Sequence, residues 1–338
     1  MNFEDFKKEY EKVPVYEYPN SVHKQPLISI CIQTYQHASY IRECLDSILA
    51  QKVDFPIEIL LGEDGSTDGT REICIEYAKN YPDKIRLFLH VIENNISLLG
   101  SRSGRFNFIY NIYTSNGKYL AMCEGDDYWT DPLKLRKQID VFEKDDRYSL
   151  VVHQSLKVIE TTVTDKILGI SDHTGEVDTD ILLAREKGIV PTASMVFKKE
   201  MVLDMPEWMN TAPVGDYYLL LLAVKFGAVF HIHEVMATRR IVAGSWTTKK
   251  KNVGWFVGQH KKHFESLDLF LIDVGFKFED SIVKYKRKKT VELFTGYIIN
   301  GVFNKESYKY NAYLRSHAKL LRWNDWYRLA KYFFSRMM

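Results

Sequence analysis

Three short apolar runs within the first 124 residues each stop abruptly at polar residues, and this repeated pattern constrains the fold more than any other feature. Residues 27–35, LISICIQTY, read as a buried strand that ends at Thr34 and Tyr35. Residues 57–61, IEILL, run into Gly62, Glu63, Asp64 and Gly65, and Tyr119–Cys123 run into Glu124, Gly125, Asp126 and Asp127. A further run, Ile85–Ile92, follows the second. The intervals carry helical periodicity: Ile41, Leu45, Ile48 and Leu49 after the first, Ile73, Cys74, Tyr77 and Ala78 after the second, and Phe106 to Tyr113 before the last. Thr67 or Asp68 is placed to cap the second of these helices. Strand and helix therefore alternate at spacings that fit right-handed parallel crossovers, which predicts an α/β fold. In such sheets the carboxyl edge of the strands is where ligands bind.

The acids at that edge carry chemical information. Three carboxylates at one strand end repel one another, and a cation relieves the repulsion. Hard oxygen donors at one- and two-residue spacing suit Mg²⁺ or Mn²⁺, ions that bridge substrate phosphates. An acidic turn N-capping the helix opened by Pro132 is the plainer alternative. Three strands delivering polar groups to one edge favour a binding site.

The order ISICIQTYQHASYIRECLDSILAQ, EILLGEDGSTDGT, GKYLAMCEGDDYWTDPLKLRKQ resembles the nucleotide-sugar-binding half of family 2 glycosyltransferases, which have the GT-A fold. The resemblance runs from about residue 26 to residue 245. It implies inverting transfer of a sugar from a nucleoside diphosphate donor, with Mg²⁺ or Mn²⁺ on the diphosphate. It places Thr34, Tyr35 and Asp64 at the nucleobase, and Asp64 as a carboxylate suits the imide N–H of uracil, so a UDP-sugar is the favoured donor. Glu124 and Asp126 match the two acids of the D-x-D element, Glu124 toward the ribose or a metal-bound water and Asp126 on the metal. Asp216, at the start of the helix in PVGDYYLLLL, stands where the family has its general base; a simple N-cap is the competing reading of that position. The sugar and acceptor pocket draws on Trp129, Thr192, Ser194 and Trp246. Two departures stand out. Glu124 replaces the usual aspartate, and Val242 stands where many members have a histidine two residues after an arginine, leaving Arg239, Arg240, Ser245 and Trp246 to cover the phosphates. A catalytically silent nucleotide-binding or scaffold protein of the same fold is the alternative function.

Charge divides the chain. From Lys249 onward there are 19 Lys and Arg against 8 Asp and Glu, whereas the whole chain has 46 against 44. The expected organisation is an N-terminal extension (1–25), a GT-A domain (26–248) and a basic helical region (249–338), with helical periodicities at 253–273, 279–300 and 305–334. A net-negative nucleotide-binding half argues against nucleic acid as partner. QTYQHASY lacks the Gly-rich, basic loop with which a nucleotidyltransferase holds a triphosphate. Cys31, Cys44, Cys74 and Cys123 show no paired C-x-x-C spacing and are expected as buried thiols. The start of the chain lacks the apolar core of a signal peptide, and no apolar run approaches the roughly 18 residues of a membrane span. A cytoplasmic location is expected. The tail LRWNDWYRLAKYFFSRMM, with the cluster Lys284, Lys286, Arg287, Lys288 and Lys289, has the composition of an interfacial membrane helix; packing on the catalytic half or in a homodimer is the alternative. A glycan or lipid-linked glycan is the expected acceptor.

Overall fold

The computed structural model describes residues 2–185, 188–210, 212, 215–243, 245, 253–299 and 310–337. In chain order the first elements are α1 (Phe3–Tyr10), β1 (Tyr16–Glu17), β2 (Ile28–Thr34), α2 (Ile41–Leu49), β3 (Ile57–Glu63), α3 (Thr70–Asn80), β4 (Ile85–Leu89), α4 (Arg105–Thr114) and β5 (Tyr119–Glu124). Then come α5 (Lys134–Lys144), β6 (Tyr148–Ile159), β7 (Thr162–Leu168), β8 (Gly175–Glu176), α6 (Thr179–Ala184), β9 (Val196–Lys198), α7 (Glu207–Asn210), α8 (Gly215–Phe226) and β10 (Ala228–Ile241). The last are α9 (Val253–Asp273), α10 (Glu279–Ile299), α11 (Asn311–Ala318) and α12 (Trp323–Met337).

The strands form one mixed sheet in the order β1–β4–β3–β2–β5–β9–β6–β10–β8, with β7 added to β6. β4, β3, β2 and β5 are mutually parallel. The chain steps from β2 outward to β3 and β4, then returns to the other side of β2 with β5. The order therefore reverses between β2 and β5, which opens a crevice at their carboxyl ends. Side-chain alternation divides the core into two layers. Ile28, Ile30 and Ile32 join Ile41, Leu45 and Ile48 of α2 and Leu135, Ile139 and Phe142 of α5. Cys31, Leu60, Leu120 and Met122 face α4, α8 and the C-terminal helices. The four cysteines are buried free thiols.

The change in charge near residue 248 does not coincide with a gap in packing. Leu267, Phe270, Ile282 and Tyr285 of α9 and α10 share one core with Tyr217 and Leu221 of α8. Tyr285 stacks on Tyr217 at a centroid distance of 4.2 Å. α1, within the expected N-terminal extension, joins the same core. Asn2 caps it by accepting from the Asp5 N–H, and its buried Phe6 stacks on Phe106 of α4 at 5.3 Å.

Other expectations change in detail. The run from Ile85 leaves the sheet at Leu89, and Ile92 begins a 3₁₀ turn. Between residues 188 and 201 only Val196–Lys198 pair as a strand, because Pro191 leads into a 3₁₀ turn over Thr192–Ser194. The last helical periodicity is broken into α11 and α12. Asp325 accepts from the Arg322 N–H at 2.9 Å, the reach-back half of a capping box, and starts a new helix there. The Lys249–Lys251 run lies outside the described residues.

Because Phe6 is 1% exposed and ringed by Tyr10, Phe106 and Tyr113, Phe6→Ala is expected to lower stability by about 3–5 kcal/mol. Urea unfolding checks this. A loss below about 1 kcal/mol would mean that α1 is peripheral to the fold.

Candidate active site

The crevice begins on the β3 side. Asp64 follows β3, its N–H donating to the Thr34 carbonyl at 3.1 Å, so the ends of β2 and β3 are tied together. Asp64 is 9% exposed, and its pKa is raised to about 7 by burial and then by Glu63, against Arg102, Asn107 and Arg71. Glu63 points to the other face, where it pairs with Arg71 and accepts from the Ser66 N–H at 2.6 Å. Tyr35 is 38% exposed. Arg102 lies over its ring at 4.5 Å, donates to its hydroxyl at 2.9 Å and reaches the Asp64 carbonyl at 3.3 Å. Arg102 thus ties Tyr35 to Asp64 in one cluster. Thr34 is buried instead; its hydroxyl bonds His37 Nδ1 at 3.2 Å beneath the acidic turn.

That turn follows β5, next to β2. Gly125 is dictated by space: a Cβ there would lie 2.6 Å from Thr34 Oγ1 and 2.9 Å from His37 Nδ1. Glu124 is open to solvent on one side yet closely surrounded by protein on the others. Its pKa rises to about 7 through that desolvation, then through Asp126 and Asp216, with Arg239 opposing. The Asp126 carboxylate is 17% exposed and has His37 Nε2 4.0 Å away. His37 is held below its ordinary pKa by burial, against the pull of Asp126 and Asp68. Asp127 is buried, and burial with the charges of Asp126 and Glu124 pushes its pKa well up. It accepts from the Arg240 N–H at 2.6 Å.

Arg240 was expected on the phosphates, but its guanidinium is spent on protein. It donates to the Asp126 carbonyl at 2.7 Å, to the Glu160 carbonyl and to Glu43, between the rings of Tyr40 and Tyr128. It positions the acidic turn. Arg239 projects from the opposite face of β10 and acts on Glu124.

The far wall is the start of α8. Asp216 lies in its first turn, accepts from the Tyr217 N–H at 2.7 Å, and is close enough to Glu124 to raise that pKa. Arg185 Nη2 stands 3.7 Å from the Asp216 carboxylate. The sugar-pocket expectations fare differently. Trp129 is 4% exposed, donates from its indole to the Ala193 carbonyl at 3.1 Å and carries Lys134 over its ring, so it belongs to the core. Ser194 is fully buried and donates to the Pro191 carbonyl at 2.7 Å. Thr192 is half-buried in the same turn. Trp246 lies outside the described residues.

The donor set fits a divalent ion shared with a substrate. Among the described residues no three His, Cys, Asp or Glu side chains converge to hold an ion by themselves. One open carboxylate on a rigid turn, completed by phosphate oxygens, is how Mg²⁺ and Mn²⁺ are commonly held. The sequence reading passed over His37, Arg102 and Arg185 as site residues. His37 was in view two residues after Tyr35, whereas Arg102 and Arg185 lie in connections whose path only the fold reveals.

Residues 29–202 match the family model of glycosyl transferase family 2. An uncharacterized protein of Mycobacterium tuberculosis is 34% identical over 221 residues, covering 65% of this chain and 60% of the relative. An uncharacterized glycosyltransferase of Nostoc sp. is 24% identical, covering 63% of this chain and 64% of the relative. The chain thus spans about 60% of the length of these curated relatives. Among solved structures, Staphylococcus aureus TarS 1–349 superposes with a TM-score of 0.53 at 14% identity, covering 81% of this chain and 80% of that one. Its complex with UDP superposes with a TM-score of 0.53 at 15% identity, covering 83% and 75%. These likenesses establish the GT-A-type fold with a helical C-terminal region.

A raised acid pKa has a measurable cost. Asp64 binds its proton more tightly folded than unfolded, so its ionisation destabilises the ligand-free protein as pH rises from about 4 to about 7. Asp64→Asn is expected to raise the melting temperature at pH 8 and to change it little at pH 4. An equal shift at both values would show that the carboxylate is not held protonated by its surroundings.

Proposed function

The chain belongs to glycosyl transferase family 2, and on that premise we propose that it transfers a sugar, with inversion, from a nucleoside diphosphate donor to a hydroxyl of a glycan or lipid-linked glycan. One observation carries the reading. The Tyr35–Asp64–Arg102 cluster after β3, the Asp126 turn after β5 and Asp216 near Glu124 lie at one edge of the sheet, which supports reading them as the groups for nucleobase, diphosphate and acceptor in turn. Tyr35 offers a face for a base to stack on. Asp64, once ionised, accepts the imide N–H of uracil, which favours a UDP-sugar. Arg239, facing Glu124, is the cation placed for the diphosphate. Asp126 would hold Mg²⁺ or Mn²⁺, which neutralises charge on the departing nucleoside diphosphate. Asp216 takes the proton of the acceptor hydroxyl as that oxygen attacks from the face opposite the leaving group.

A panel of UDP-, dTDP- and GDP-sugars, read by mass spectrometry with glycan acceptors, tests the assignment. Turnover of the UDP-sugars is expected. Nucleotide binding without turnover of any donor would favour the binding-protein alternative. Asp216→Asn is expected to lose transfer by roughly a hundredfold or more while donor affinity holds. Retained transfer, or retention of configuration in the product, would remove Asp216 as an inverting base.

We further propose contact with the inner face of a membrane through α12, which fits a cytoplasmic enzyme acting on lipid-linked acceptors. Among the described residues no helix is long and apolar enough to cross a membrane. The basic cluster of α10 is engaged within the fold: Lys286 with Asp268, Arg287 with Asp325, Lys289 with Glu292, and Lys288 with the Arg185 carbonyl. α12 buries Leu329 and leans Trp326 on Phe294, but leaves Trp323 83% and Tyr327 66% exposed, beside exposed Arg322, Arg328 and Lys331. Aromatic rings among cations suit an anionic interface. Salt-sensitive co-sedimentation with phosphatidylglycerol vesicles is expected, and Trp323→Ala with Tyr327→Ala should abolish it. Protein that stays in the supernatant at low salt would turn this face toward a homodimer instead.

A further inference from the structure

We propose that His37 Nε2 is a second protein ligand, beside Asp126, for the divalent ion of the proposed donor site. The inference rests on the functional reading above and adds a residue to it. His37 sits in the turn between β2 and α2, held at both ends. Its backbone N–H donates to Thr70 Oγ1 at 2.8 Å, and its Nδ1 bonds Thr34 Oγ1 at 3.2 Å. The ring is wedged under Gly125, where a Cβ would come within 2.9 Å of Nδ1. With Nδ1 engaged, Nε2 is the nitrogen left to act, and it faces Asp126 Oδ2 across 4.0 Å.

That separation is too long for a hydrogen bond. It is about 1 Å more than two neighbouring ligands of one octahedral Mg²⁺ or Mn²⁺ ion would show at ordinary bond lengths. The Asp126 carboxylate accepts no hydrogen bond among the described residues, and its rotation can close the gap. A ring nitrogen fixed by a partner on the other nitrogen is how imidazole ligands are usually presented to metals. A nitrogen donor favours Mn²⁺ over Mg²⁺.

The test uses the full chain with Mn²⁺ and whichever of UDP, dTDP and GDP binds best by calorimetry. Pulsed electron paramagnetic resonance of the bound Mn²⁺ is expected to show coupling to a directly bonded nitrogen. ¹⁵N-labelling of histidine should alter that coupling, and His37→Gln should remove it. The variant should bind Mn²⁺ with the nucleotide at least about tenfold more weakly, the smallest loss usual even for groups that only support a ligand. Should His37→Gln fail to fold, the labelled wild type decides alone. Mn²⁺ binding without nitrogen coupling, or coupling that persists in His37→Gln, overturns the role of His37 and leaves the donor site standing. Absence of Mn²⁺ binding with every nucleotide overturns both.

Discussion

Asp127 and Arg240 hold the acidic turn in place, and the rest of the site depends on that clasp. Asp127 is buried where a free carboxylate would be costly, and the Arg240 N–H bonds it directly. The guanidinium of the same residue then crosses to the Asp126 carbonyl and on to Glu43 of α2. One residue of β10 therefore fastens the loop after β5 to a helix that follows β2. With the turn fastened from behind, Glu124 and Asp126 can face the crevice side by side despite their repulsion.

The fold was largely legible because its signals are redundant. β2, β3 and β5 each combine an apolar run with a polar stop, and a single register satisfies both layers of the core. The layout of the candidate site was legible where a residue sits on a strand end, as with Asp64 after β3 and Asp126 after β5. It was misread where orientation depends on irregular backbone. β10 shifts register between Ile232 and Val235 and again before Ala237. The second shift, two residues of β10 against one of β6, flips which side chains face the crevice, so counting along the strand does not tell Arg239 from Arg240. Trp129 failed for a related reason. An aromatic residue after an acidic turn can point either way, and here the isolated bridge from Trp129 to Ala237 turns it inward.

Charge along the chain does not mark a break in packing. The basic helical region beyond residue 248 shares a core with α8, and Lys286 and Arg287 pair with Asp268 and Asp325 on neighbouring helices. Lys288 also supports the backbone of Arg185, whose guanidinium stands beside Asp216. The C-terminal helices thus contribute to the wall around Asp216, and their stability is part of its geometry.

The packing of α1 also bears on how the chain reaches this state. Phe6 meets Phe106, so α1 emerges about a hundred residues ahead of the helix that covers it. At ordinary rates of translation that interval is on the order of 5–20 s. Through that time the phenylalanines of α1 lack their native partners on α4, and contacts so distant in sequence are slow to form. The nascent chain therefore exposes the apolar side chains of this segment well before the sheet exists, long enough for a chaperone to find them first.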